Sequence, residues 1–326
     1  MTGPGAILLA GPTASGKSDL ALALAARLPV EIISVDSTQV YRGFDIGSAK
    51  PDLATRASVR HHLIDIREPS ETYSAGEFVA DALTAIRDIH ARGRLPLLVG
   101  GTMLYFNALL RGIAPLPIAD PAIRAAIDAR AAALGWPALH AELGRVDPQA
   151  AARIHPNDPQ RIQRALEVYE ASGRPISDWQ RETRPPAATL RMHRYALVPA
   201  DRASLHDRIA RRFGAMLAAG FLREVETLRA RPDIPLEAAS LRAVGYRQLW
   251  AHLAGECSLD EAVLRAVAAS RQLAKRQLTW INADPGWQRI DPLVAGACER
   301  WVDEVCFVCA PPRTGTPAVV NWSERG

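Results

Sequence analysis

Lysine is nearly missing from this sequence. Only Lys17, Lys50 and Lys275 carry an ammonium, and every other basic side chain is arginine. A bias spread over the whole chain reflects genome composition rather than function. Yet one of the three sits in a glycine-rich loop and the other two in polar motifs, where a compact ammonium and a planar guanidinium are not interchangeable. Cysteine is scarce as well. Cys257, Cys298, Cys306 and Cys309 are too few and too clustered for a disulfide framework, which agrees with a reducing compartment. No apolar run is long enough to cross a bilayer. The first strand starts within a few residues of Met1, leaving no room for a cleavable leader, so the expected location is the cytoplasm. Excess charge is also lacking: 39 basic against 35 acidic residues give a net +4, a weak argument for a polyanionic partner. Two kinds of site are missing too. His61 and His62 have no ligand partners at metal-site spacing, and they read as ordinary strand-end histidines. Apart from Asp36 and Asp65, no apolar strand ends in the carboxylate of a motor ATPase.

What is present is organised around Gly11, Pro12, Thr13, Ala14, Ser15, Gly16, Lys17 and Ser18. This G-x-x-x-x-G-K-[ST] loop follows the apolar run Ala6–Ala10 and precedes a helical pattern over Asp19–Leu28. The glycines let the backbone curl so that its amides face an anion, Lys17 adds a point charge, and Ser18 can hold Mg²⁺ beside phosphate oxygens. The loop names a polyphosphate or diphosphate without naming its carrier. Val30–Val35 is a second buried strand, and it delivers Asp36, Ser37, Thr38 and Gln39 at its carboxyl end, the edge where ligands bind in open α/β sheets. By position alone Asp36 is either a carboxylate facing the group held by Lys17, a helix N-cap or an outer carboxylate of a Mg²⁺ site. The turn-rich stretch 42–51 is a loop at the same edge. A short strand over His61–Ile66 comes next, then a helix from a Ser74/Glu77 capping box to about His90. The apolar strand Leu95–Val99 turns through Gly100, Gly101 and Thr102 into another helix. Strands alternating with helices give an α/β fold, a P-loop NTPase-like parallel sheet flanked by helices.

From Pro115 the texture changes. A Pro-rich linker leads into helical patterns without strands, Pro-rich sequence returns at 184–186, and Tyr195–Val198 is one more strand. The expected organisation is a discontinuous core over 1–117 and 190–290 and an inserted helical domain over 118–189. Helices are expected around 202–230, 240–254 and 259–282, and 291–326 reads as a weakly ordered tail. Three Arg/Gln clusters stand out: Gln160, Arg161 and Arg164; Arg242 and Arg247 around Gly245 with Tyr246; and Arg271, Lys275 and Arg276 with Trp280 nearby. Each alone is a common solvated helix face, and together they lean toward RNA. Cys306 and Cys309 lack the histidines of a zinc site and read as a spare thiol pair. A small-molecule or nucleoside kinase using the loop for ATP stays open at this point.

Taken in order, these motifs closely resemble the tRNA dimethylallyltransferase (tRNA isopentenyltransferase) family over about residues 6–285. The resemblance rests on the 11–18 loop, Asp36–Arg42, Asp45–Pro51, Gly100–Tyr105, Asp158–Arg164, and the segments at Gly245 and Lys275. It implies transfer of a dimethylallyl group from dimethylallyl diphosphate to N6 of the adenine on the 3′ side of the anticodon in tRNA. The amides of Thr13 to Ser18 would hold the diphosphate with Mg²⁺, with Lys17 stabilising it, Thr102 close to the reacting centre and Asp36 as general base. Asp36, Ser37, Thr38, Gln39, Gln160, Arg161, Ile162, Gln163, Arg164, Arg242, Gly245, Tyr246, Arg247, Lys275 and Arg276 match segments that contact the tRNA anticodon stem-loop, with Arg124 a weaker match. Ser18 and Phe44 depart from the commoner Thr and Met. The resemblance implies neither a membrane nor an obligate protein partner.

Overall fold

The computed structural model describes residues 5–183, 185–186 and 190–309. They divide into two compact units, one of residues up to 106 and from 189 onward, the other of residues 107–188.

The first unit is built on a six-stranded sheet of β1 (Gly5–Ala10), β2 (Val30–Val35), β3 (His61–His62), β4 (Leu95–Gly100), β5 (Arg191–Leu197) and β6 (Gln288–Ile290), in the order β3-β2-β4-β1-β5-β6. Every pairing is parallel. β1 and β2 are near-continuous apolar runs because helices cover both faces of a parallel sheet. The exception is Glu31, which is buried but meets Arg92, Arg94 and His62. The bidentate Arg92 pair, aided by His62, overcomes burial and holds its carboxyl down at about 2.

The helices of this unit before the insertion are α1 (Lys17–Ala25), α2 (Leu53–Ser58), α3 (Ala75–Ala91) and α4 (Met103–Arg111), which crosses the unit boundary. The second unit holds α5 (Pro121–Leu134), α6 (Trp136–Val146), α7 (Pro148–Ala151), α8 (Pro159–Ser172) and α9 (Ile176–Arg181). The chain then returns through α10 (Arg202–Ala218), α11 (Phe221–Arg229), α12 (Tyr246–Leu253), α13 (Leu259–Ala283) and α14 (Ala297–Cys309). The Ser74/Glu77 capping box of α3 is present in both directions.

Four sequence expectations change. The strand at 61 stops after His62, because Leu63 and Asp65 take left-handed backbone angles and Asp65 turns to Lys50 and Arg56. The helix expected over 202–230 breaks into α10 and α11 at Gly220, whose φ of 99° a side chain would resist. The compact helical unit starts inside α4 rather than at 118, since Leu116 of the Pro-rich stretch packs on its core. The stretch 291–326 is not uniformly loose. Trp301, Val302 and Val305 form an apolar stripe on α14, buried with Leu20 and Leu24 of α1 in one core cluster. Cys306 and Cys309 are free thiols packed against that cluster, and 310–326 lie outside the described residues.

Candidate active site

The loop between β1 and α1 has the geometry its spacing demands. Ala14 and Gly16 take positive φ values of 62° and 95°, which curl the chain, and Gly11 has no room for a Cβ against Ser15 Oγ and the Leu197 carbonyl. Lys17 Nζ folds back to donate to the Pro12 carbonyl at 2.7 Å. Not all the loop amides face outward. Thr13 N donates to Gln277 Oε1 at 2.8 Å and Ser15 N to Pro12 O at 3.3 Å. The amides of Ala14, Gly16, Lys17 and Ser18 make no hydrogen bond among the described residues and remain open to an anion.

Strand β2 ends opposite. Asp36 Oδ1 accepts from Thr38 N at 2.8 Å and Gln39 N at 3.3 Å, so one oxygen fixes the turn while the other is left for chemistry. The strand-end alternatives thus meet in one residue: Asp36 caps a turn and lines the same cavity as Lys17. At the end of β4, Gly100 fits because its missing Cβ would fall 2.0 Å from the Val35 carbonyl. The loop therefore lies on the end of β2, where Thr102 N donates to Val35 O at 3.1 Å and Thr102 Oγ1 accepts from Ser37 N at 3.0 Å. The cavity between these strand ends measures about 370 Å³ and is lined by Thr13, Lys17, Ser18, Asp36, Thr38 and Gln39, with Ile209, Arg212, Phe213 and Met216 of α10.

Arg212 was not singled out by any motif, although a signal exists. Residues 209, 212, 213 and 216 follow the i, i+3, i+4, i+7 spacing of one helix face, so Arg212 is a charge inside an apolar stripe. Its guanidinium has no ion-pair partner among the described residues, and burial lowers its pKa against the pull of Asp36 and Asp19. Burial also lowers the Lys17 ammonium, to about 7, with the Arg212 charge adding to the fall and Asp36 opposing it. Two desolvated cations in one cavity, with Asp36 and Asp19 as the nearby carboxylates, make an environment suited to a multiply charged anion.

The remaining predicted residues divide by exposure. Arg242, Arg247, Lys275 and Arg276 are exposed in the first unit and their side chains make no ion pair among the described residues. In the second unit Gln160 and Arg161 are exposed, Arg161 donating to Asp158 at 2.7 Å. Gln163 donates to Asp128. Ile162 is fully buried in the helical core, and Tyr246 is 1% exposed with its hydroxyl donating to Glu224 at 2.6 Å, so neither side chain can touch RNA. Gly245 is a buried, φ-positive hinge before α12, closed against Phe221. Arg124 and Arg164 both reach the buried carboxylate of Glu167 and so work partly as internal ties. The Gln39 amide is engaged too, accepting from Ser34 Oγ and donating to the carbonyls of Ser48 and Ala49. Glu224, unremarked in the sequence, accepts from the amides of Asp45, Ile46 and Gly47 and holds the 42–51 loop in place.

Among the described residues no three His, Cys, Asp or Glu side chains gather as a metal site, and no helix is long and apolar enough to cross a membrane. The hydroxyl of Ser18, exposed on the first turn of α1, is a donor suited to Mg²⁺, which keeps several waters and binds largely through substrate phosphates.

A family model described as IPP transferase matches residues 39–284. A tRNA dimethylallyltransferase of Bordetella petrii is 57% identical over 93% of this chain and 98% of its own length. One of Nitrosococcus oceani is 58% identical over 89% and 92%. Among solved structures, the full-length tRNA isopentenylpyrophosphate transferase of Bacillus halodurans is 37% identical, with a TM-score of 0.66 over 93% of this chain and 95% of its own. A eukaryotic dimethylallyltransferase acting on tRNA reaches a TM-score of 0.77 at 27% identity, over 94% and 79%. These matches give the kinase alternative no support. With the family model matching most of the chain and these relatives aligned over nearly their full length, the chain belongs to the IPP transferase family.

Proposed function

We infer that this protein transfers a dimethylallyl group from dimethylallyl diphosphate to N6 of the adenine 3′-adjacent to the anticodon in tRNA. The observation that carries the reading is the cavity in which Lys17 and Arg212 face Asp36, a leaving-group site at the end of β1 and a base site at the end of β2, on either side of β4. The open amides of Ala14, Gly16, Lys17 and Ser18 bind the diphosphate, and Lys17 and Arg212 complete its charge. As the allylic C–O bond breaks, its electron pair leaves on the diphosphate, and these fixed donors stabilise the growing charge without reorganising. The C–N bond forms at N6. An exocyclic aromatic amine is a weak nucleophile, so its proton goes to the free Oδ2 of Asp36, whose Oδ1 is held by Thr38 N. Thr102, tied to Ser37, presents its hydroxyl at the same strand end. Ser18 would hold Mg²⁺, which neutralises diphosphate charge when bound. The adenine must leave its stack to reach the cavity, at a cost of a few kcal/mol. Exposed Arg161, Arg242, Arg247, Lys275 and Arg276 meet the tRNA backbone, and a tRNA substrate supports a cytoplasmic location.

The test is incubation with an unmodified anticodon stem-loop and labelled dimethylallyl diphosphate. Label should enter the RNA on the adenine. Label staying out of RNA while the terminal phosphate of ATP moves to a small acceptor would overturn the reading.

A further inference from the structure

The mechanism above needs two loops at a fixed separation. One holds the leaving group and belongs to β1–α1; the other, Gly100–Thr102, is bonded to the end of β2 beside Asp36. They leave from β1 and β4, which are paired as far as Ala10 and Gly100, and beyond that pairing one side chain among the described residues bonds to both loops. Gln277 of α13 accepts from Thr13 N with Oε1 at 2.8 Å and donates to the Gly101 carbonyl with Nε2 at 2.9 Å. It is 8% exposed, and the second glycine of the Gly-Gly pair leaves room for its amide, since a Cβ on Gly101 would lie 2.3 Å from Nε2. Ala274, one turn earlier, packs with Ala14 of the phosphate loop and with Leu205 and Ile209 of α10, which seats this part of α13 on the loop.

We propose that Gln277 is a positioning residue, a cross-brace that sets the distance between the diphosphate loop and the base-bearing end of β2. It also removes Thr13 N–H from the anion site. A primary amide suits this place because it accepts with one atom and donates with its neighbour while staying neutral. Methionine of similar length does neither, and an ionised glutamate accepts from Thr13 but sets an oxygen against the Gly101 carbonyl. The inference rests on the prenyl-transfer reading for its kinetic consequence, and its structural part is independent of that reading.

The test uses the full chain and single-turnover rates at saturating donor and tRNA. A displacement of about 1 Å in such a site costs about 100-fold in rate. Gln277→Met should slow the chemical step by roughly 30–100-fold and leave the donor KM within about 3-fold. Gln277→Glu should be comparably slow at pH 9. Its rate relative to wild type should recover at least about tenfold by pH 6.5, as the buried acid regains the proton with which it donates to Gly101 O. Gly101→Ala should be slow as well, and should cost less than about 3-fold when added to Gln277→Ala, because the two changes break the same link. Additive losses, or a Gln277→Met rate near wild type with a raised KM, would overturn the brace. So would a rate ratio for Gln277→Glu that is flat with pH. Should Gln277→Met fail to fold, the volume-conserving Gln277→Glu ratio decides. Hydrogen exchange at the Thr13 amide gives a readout without catalysis: it should be slow in wild type and Gln277→Glu and faster by at least about tenfold in Gln277→Met. Slow exchange in Gln277→Met would sink the proposal even if wild type transfers no prenyl group, whereas a silent wild type with the expected exchange pattern would refute the prenyl reading alone.

Discussion

Binding of a diphosphate should draw a proton into this protein, and the size of that uptake follows from the burial of Lys17. In the ligand-free site Lys17 titrates near 7 because it is desolvated and sits close to Arg212. At pH 8 about nine in ten Lys17 side chains are therefore neutral. A diphosphate with several negative charges beside Nζ favours the ammonium and returns its pKa well above 8. Binding at pH 8 should then take up about 0.9 proton per site, falling to about 0.1 at pH 6 where Lys17 is already charged. Linkage requires affinity to weaken as pH rises above 7, approaching tenfold per unit. The same displacement acts on folding with a defined sign. Between about 7 and 10 the unfolded chain holds the Lys17 proton that the ligand-free folded chain has lost, so ligand-free stability from this group rises with pH over that window. Titration calorimetry at pH 8 with dimethylallyl diphosphate, a monoester that is fully ionised there and has no proton of its own to give, in buffers of different ionisation enthalpy measures the uptake directly. Lys17→Met should abolish the buffer dependence, and Arg212→Met should shrink it at pH 8 by letting Lys17 keep its proton. Zero uptake at pH 8 in wild type, or an undiminished uptake in Lys17→Met, would refute the reasoning.

Asp36→Asn keeps an oxygen for the Thr38 amide but no base, so single-turnover transfer should fall by about 100-fold or more while tRNA affinity stays within about 3-fold; equal losses of affinity and rate would make Asp36 a binding residue. Arg161→Ala should lower the slope of log affinity against log salt by about 1, whereas Arg164→Ala should act mainly through the melting temperature, because its guanidinium ties Glu167 to the Pro117 carbonyl. Salt-dependent binding measured beside thermal unfolding separates the two. Tyr246→Phe loses the bond to Glu224 and should cost about 1 kcal/mol in denaturant unfolding with tRNA affinity unchanged; a drop in affinity at constant stability would return Tyr246 to the RNA surface.

Features governed by local backbone geometry were legible in the sequence. The 11–18 loop was readable because its glycines answer to curvature over a few residues, and Asp36 because a buried strand must end where polar residues begin. The Ser74 capping box spans four residues and was visible for the same reason. Contacts made by distant chain were not. Gln277 meets Thr13 across 264 positions, and Arg212 enters the cavity from a helix beyond the inserted unit. Motif membership also cannot separate a residue that touches a ligand from one that supports a neighbour that does. Ile162 lies between exposed Arg161 and half-buried Gln163 yet points into the helical core, as the 3.6-residue period demands. Tyr246 lies between the Gly245 hinge and exposed Arg247, and its ring fills the space between Phe44 and Phe221. The α14 helix was lost to a Pro- and Thr-rich tail that diluted a short apolar stripe.

The sheet order carries a consequence for biosynthesis. β1 emerges first from the ribosome, bonds on one side to β4, and on the other waits for β5. Between Ala10 and Arg191 the whole inserted unit must be made, about ten seconds or more at translation speed. Throughout that interval a nascent strand of Ala6–Ala10 shows an unpaired apolar edge, the template on which chains cross-pair. Slowing elongation within the inserted unit should therefore lower the soluble yield.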